Sequence, residues 1–167
     1  QEVATDPQDM AALLTEHWGR ILSAKPISKS LLATWLQKLR KKLPDDANPC
    51  WVLTHDHVLQ AIRASHETAP GPDGIPYRAY RKLDRYAAAF LLDVAEDLQE
   101  SGPEGSPKQG FNYAILTCLP KKPHRIDPIQ GEVYTPGKTS PLSIVNTDNR
   151  LIANAYRYML EPILNDC

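Results

Sequence analysis

Apolar residues recur at helical spacing over most of the chain, interrupted by proline-rich stretches. Asp6-Pro7-Gln8-Asp9 offers a capping aspartate, a proline at the first helical position and an acid in the first turn, with Met10, Leu13, Leu14, Trp18 and Ile21 following on one face. This predicts a helix from Pro7 to about Leu22. Ser28 opens a second, with Leu31, Leu32, Trp35, Leu36 and Leu39 on one stripe. Its last turn holds Lys38, Arg40, Lys41 and Lys42, where cations complement the helix dipole, and it is expected to stop before Pro44. Trp18 and Trp35 lie on these stripes and are expected in the core. A third helix is expected from a cap at Thr54 to near Glu67, one or two more from Tyr77 to Leu98, and a closing helix capped by Asn146 or Asp148 that Pro162 should kink or end.

Between Phe111 and Leu119 the pattern shifts to a short apolar run bounded by Gly110 and Pro120, which suits a buried strand. Leu142 to Val145 is a second candidate strand. The roughly twenty residues between them form a long loop, of the kind that carries function or moves. The expected fold class is therefore α+β, mostly helical, with helices packed around a short antiparallel strand pair. The predicted organisation is a helical pair over 1–44, a linker over 45–51 and one further region over 52–167.

Composition adds limits. The 167 residues suffice for one domain with a sizeable core, and the formal net charge of -1 gives no global attraction for nucleic acid, so any such site must be local. Three distant cysteines, Cys50, Cys118 and Cys167, argue against a disulfide framework and suit a reducing compartment. No stretch is apolar enough for a membrane span, and the amino end has no signal-peptide pattern; a first residue Gln1 suggests a cut or truncated start.

The densest local signal is Ala69-Pro70-Gly71-Pro72-Asp73-Gly74-Ile75-Pro76, which alternates residues of fixed φ with residues tolerant of positive φ and should hold one tight shape. Read alone, it is a rigid corner between two helices. It lacks the lysine and hydroxyl that would make it a phosphate-binding P-loop. Cys50, His55 and His57 have spacing that could supply three metal ligands, but no fourth is near, so no metal is assigned. No nucleophile elbow is present.

Three blocks in order carry a resemblance: the Ala69–Pro76 loop, then Leu116-Thr117-Cys118-Leu119-Pro120-Lys121-Lys122, then Pro141-Leu142-Ser143-Ile144-Val145-Asn146-Thr147-Asp148-Asn149-Arg150-Leu151-Ile152-Ala153. Together they resemble the reverse transcriptases of non-LTR retrotransposons over roughly Val52 to Leu164. The two upstream helices look more loosely like the connector that joins an endonuclease to the polymerase in such elements. The resemblance implies that the first loop (Pro70, Gly71, Pro72, Asp73, Gly74) leads into the fingers, and that the later blocks form a hairpin whose cations close over template and incoming nucleotide. Preorganised positive charge there stabilises the build-up on the phosphates during in-line attack. Lys121 and Lys122 match the basic positions; Arg125, Lys138 and Arg150 are further candidate phosphate contacts.

Two departures shape the functional expectation. The family usually has an arginine directly before the Pro-Leu/Ile-Ser of the third block, and this chain has Ser140, which cannot supply a charged fork of donors. The magnesium-binding aspartates of the family's palm lie beyond the segment that ends this chain, while Asp45-Asp46 sits in the linker and reads as a solvated pair. The chain is expected to be a fingers-side fragment of an RNA-directed DNA polymerase, not an enzyme on its own. No cofactor is expected in it, magnesium being used by the intact parent, and nucleic acid is the parent's partner. The alternative is a domesticated structural subunit whose partners are other proteins of an assembly.

Overall fold

The structure, a computed structural model, describes residues 3–40, 51–101 and 111–165. The predicted linker up to Cys50, with Asp45-Asp46, and most of the break after Ser101 lie outside these residues. The fold is α+β and mostly helical. Helices α1 (Pro7–Leu22), α2 (Lys29–Arg40), α3 (His55–Arg63), α4 (Tyr77–Leu83) and α5 (Arg85–Ser101) precede strands β1 (Ala114–Pro120), β2 (Arg125–Asp127), β3 (Gly131–Val133) and β4 (Thr139–Val145), and α6 (Thr147–Asn165) closes the described chain. Among these residues no helix is long and apolar enough to cross a membrane.

Contacts divide the chain into two compact units, one of residues 1–27 and 116–143, the other of 28–115 and 144–167. The two amino-terminal helices, grouped by their sequence, thus fall in different units. The buried core belongs to the second unit. Val58, Leu59, Ala61 and Ile62 of α3 pack chiefly on Leu151, Ile152, Ala155 and Met159 of α6, with Ala87, Ala88, Leu91 and Ala95 of α5 beside them. These positions recur every three or four residues, the spacing that puts them on one face.

Helix α3 begins where the sequence places it. The Thr54 hydroxyl accepts from the His57 amide at 3.4 Å, and His57 Nδ1 accepts from the Thr54 amide at 3.2 Å, a reciprocal capping box in which histidine stands where Glu or Gln is usual. Its end differs. The helix stops at Arg63 instead of near Glu67, because the Ser65 hydroxyl and amide both donate to the Ile62 carbonyl, at 2.6 and 3.3 Å, and close a tight turn. Between α4 and α5 stands Asp84 with φ 45°, a left-handed residue that is not glycine. Its carboxylate accepts both Arg63 Nε at 2.9 Å and Nη2 at 2.7 Å.

Three further expectations are corrected. Trp35 is 60% exposed rather than core, and Trp18 is half-buried, its Nε1 donating to Thr139 Oγ1 at 3.1 Å. Helix α6 runs through Pro162 to Asn165, so of the two expectations for that proline, a kink or an end, the end does not occur. The segment between the two predicted strands is not an irregular loop: β2 and β3 pair within it as an antiparallel hairpin. Each of these strands is three residues long, too short for alternation to register.

Candidate nucleic-acid interface and the loop beside helix α6

Strands β1 and β4 are neighbours in one two-stranded sheet, and β2 and β3 in another. The partners nest: Asp127 faces Gly131, Ile126 faces Glu132, Arg125 faces Val133, and further back the Lys121 amide donates to the Lys138 carbonyl at 3.0 Å. The predicted arms of the basic hairpin are therefore paired with each other. At the tip, Asp127 Oδ1 accepts the amides of Ile129 and Gln130 at 3.0 and 3.2 Å, and Gly131 has φ 74°, as the turn demands. Those two amide bonds hold the Asp127 carboxyl below the usual carboxylate range, with a smaller contribution from Arg125.

Lys121, Lys122, Arg125 and Lys138 are all exposed in this first unit. Lys121 and Lys138 are brought together by the backbone bond between them. Arg125 is less available than its exposure suggests, as its Nη2 lies 3.9 Å from Asp127 Oδ2. At the base of the hairpin a short 3-10 turn, Pro136–Lys138, packs against α1, and the buried Thr139 hydroxyl donates to the Pro136 carbonyl at 2.7 Å. Met10, Leu13 and Leu14 of α1 also line a cavity of about 470 Å³ with Cys118, Pro120 and Tyr134. Helix α1 thus supports the hairpin while leaving the lysine side chains in solvent.

The proline-glycine loop belongs to the second unit and meets the start of α6 there. A Cβ placed on Gly71 would lie 2.5 Å from the Asn146 Cα, N and Oδ1, so only glycine allows the two backbones to approach. The Gly74 amide donates to the Gly71 carbonyl at 3.0 Å, with Gly74 at φ 72°. Asp73 Oδ1 accepts the Ile75 amide at 3.0 Å, and Asn146 Oδ1 accepts the Asp73 amide at 3.2 Å. At the next residue of this segment the buried Thr147 hydroxyl donates to the Ile75 carbonyl at 2.6 Å.

Arg150, a candidate phosphate ligand in the sequence, is engaged in this junction. Its Nη1 donates to Thr68 Oγ1 at 3.0 Å and its Nη2 to the Ala69 carbonyl at 2.7 Å, while the guanidinium carbon sits 5.0 Å from the centre of the Tyr77 ring. It lies in the other unit from the hairpin cations. Nearby, burial raises the Asp148 carboxyl above its ordinary value, with Asp73 adding to the rise. Burial, with Asp148 and Asp73, pushes the Tyr80 hydroxyl up to about 12.

The sequence reading missed Asn146 and Thr147 as loop clamps, having treated Asn146 only as a cap. A signal was available: the first and third blocks of the resemblance are the segments that touch here. His55 and His57 are both engaged at the start of α3, His57 closing its cap and His55 Nε2 lying 3.3 Å from the Arg85 carbonyl. Among the described residues no group of three or more His, Cys, Asp or Glu side chains is gathered to hold a metal ion. No model of a known protein family matches the chain.

Proposed function

We propose that this chain is the fingers-side part of a reverse transcriptase of the non-LTR retrotransposon kind, which contacts template and incoming-nucleotide phosphates through its basic hairpin and does not catalyse polymerisation by itself. The observation that carries the reading is the pairing of β1 with β4, which bear the second and third blocks, while Lys121, Lys122 and Lys138 stand exposed around the connecting segment. Solvated lysines on a backbone-held ribbon can meet phosphate oxygens without first breaking internal bonds. The contact of the first block with the third, through Gly71, Asp73 and Asn146, adds support, because all three blocks then have a structural reason to occur together.

Binding of the purified chain to an RNA–DNA hybrid tests the proposal. Affinity should fall steeply as salt rises, because each phosphate neutralised releases counterions. Lys121→Ala with Lys122→Ala should lessen the slope of log K against log salt by about two. Binding indifferent to salt, or absent at every ionic strength, would sink it.

A second reading, a domesticated subunit that binds other proteins, is favoured by one observation. Arg150 is engaged with the Ala69 carbonyl and Thr68, and Ser140 stands where the family has arginine, so neither position offers a free guanidinium to a nucleotide. In that case the hairpin lysines could be replaced without loss of the chain's association with its assembly.

A further inference from the structure

Helix α2 is amphipathic, yet its described residues from Lys29 to Lys38 are all exposed, including Leu31 at 72% and Trp35 at 60%. Leaving an apolar stripe of this kind in water is unfavourable, and such a surface marks a site of association. Charge indicates what covers it. No carboxylate occurs between Glu16 and Asp45, while Lys29, Lys38, Arg40, Lys41 and Lys42 do. The covering surface must therefore be apolar in part and acidic in part.

One surface on the same compact unit has that chemistry. The outer face of α5 exposes Tyr86 and Phe90, at 84% and 61%, and then Asp93, Asp97 and Glu100. No lysine or arginine occurs between Arg85 and Lys108. The order along the two helices also agrees. Leu31, Trp35 and Lys38 are spaced by four and then three residues, and so are Tyr86, Phe90 and Asp93; in the sequence Lys42 and Asp97 continue each series by four more. Residues so spaced share one helix face, so a parallel alignment sets leucine and tryptophan against the two aromatics and lysine against aspartate.

We propose that α2 of one copy of this chain docks on α5 of a second copy, the apolar halves supplying the contact and the charged halves its orientation. This is independent of the polymerase reading. The contact is small, so association should be weak, with a Kd of the order of 100 μM. Two such contacts made reciprocally would close a dimer, whereas a single one would propagate.

Sedimentation velocity of the purified chain over about 10 to 500 μM, at low and high salt, reads the association directly. The chain should self-associate, less so at high salt. Trp35→Ser should weaken association more than tenfold, as loss of a central aromatic anchor does. Lys38→Glu and Asp93→Lys should each weaken it about five- to tenfold, since each turns an attraction into a repulsion. An equimolar mixture of those two single variants should associate again, because the reversed charges then face each other across molecules. All three side chains are exposed, and unchanged melting curves would establish that the variants fold. A chain that remains monomeric throughout overturns the proposal, as does association that survives Trp35→Ser and Lys38→Glu, or a mixture that fails to restore it.

Discussion

The loop beside α6 and the basic hairpin are both rich in polar residues, but they use them in opposite ways. At the loop, side chains are turned inward: Asn146, Thr147 and Arg150 each bond a backbone group of residues 69–75, and Gly71 leaves no space for a Cβ. At the hairpin, the backbone bonds itself, Lys121 to Lys138 and His124 to Val133, and the cationic side chains are left in solvent. The cations illustrate the difference, Arg150 at the loop against Lys121 and Lys122 at the hairpin. A charge held by internal partners contributes to the fold and is unavailable to a ligand; a solvated charge contributes little to the fold and remains available.

Substitutions can break or sharpen this contrast. The largest expected effect is at Gly71. Gly71→Ala forces a methyl group onto backbone atoms of Asn146, and chemical denaturation should report a loss of about 3 kcal/mol. A loss under 1 kcal/mol would mean the loop and helix are not clamped as described. Next is Arg150→Ala, which removes two hydrogen bonds from a charged donor and the contact with the Tyr77 ring; a cost of about 2 kcal/mol is expected in the same measurement. On the hairpin, Lys121→Ala with Lys122→Ala should change stability by no more than about 0.5 kcal/mol, since neither side chain is buried.

The smallest effects depend on pH and run in opposite directions at two aspartates. Hydrogen bonding to Arg63 holds the Asp84 carboxyl low, so its contribution is present above the unfolded value of about 3.9 and lost as pH falls through the folded one. Burial holds the Asp148 carboxyl high, so the protonated form is favoured, and that contribution is lost as pH rises through its folded value. Melting curves from about pH 3 to pH 7 should therefore show Asp84→Asn less stable than wild type at neutral pH and Asp148→Asn slightly more stable. Both differences should shrink in acid. A stabilising Asp84→Asn would contradict the role given to the ion pair.

How far the sequence reveals this molecule follows the same division between local and long-range causes. Helix starts were legible at Asp6 and Thr54 because a cap acts within three residues. The apolar faces of α3 and α6 were legible because each repeats on a helical turn, whereas the buried face of α5 is made largely of alanines, Ala87, Ala88 and Ala95, which carry little apolar signal. The end of α3 was not, since it depends on which partner the Ile62 carbonyl takes. Trp35 was misread because periodicity reveals that a helix has an apolar face and not what meets it. At the candidate site, Lys121 and Lys122 are singled out by the match of their segment to the second block of the resemblance, whereas the engagement of Arg150 depends on a partner about eighty residues away. A guanidinium in a sequence carries no mark of whether its donors are already taken.

The most direct test pairs two readouts on two variants: unfolding free energy, and affinity for an RNA–DNA hybrid as salt is varied, for Lys121→Ala/Lys122→Ala and for Arg150→Lys. The lysine variant should keep its stability and lose affinity and salt dependence. Arg150→Lys should lose stability, because an ammonium cannot reproduce the fork to Thr68 and Ala69, and should bind the hybrid as wild type does under conditions where it is folded. The reverse pattern, with binding lost at Arg150 and unchanged at the two lysines, would contradict the assignment of the hairpin as the phosphate-contacting surface.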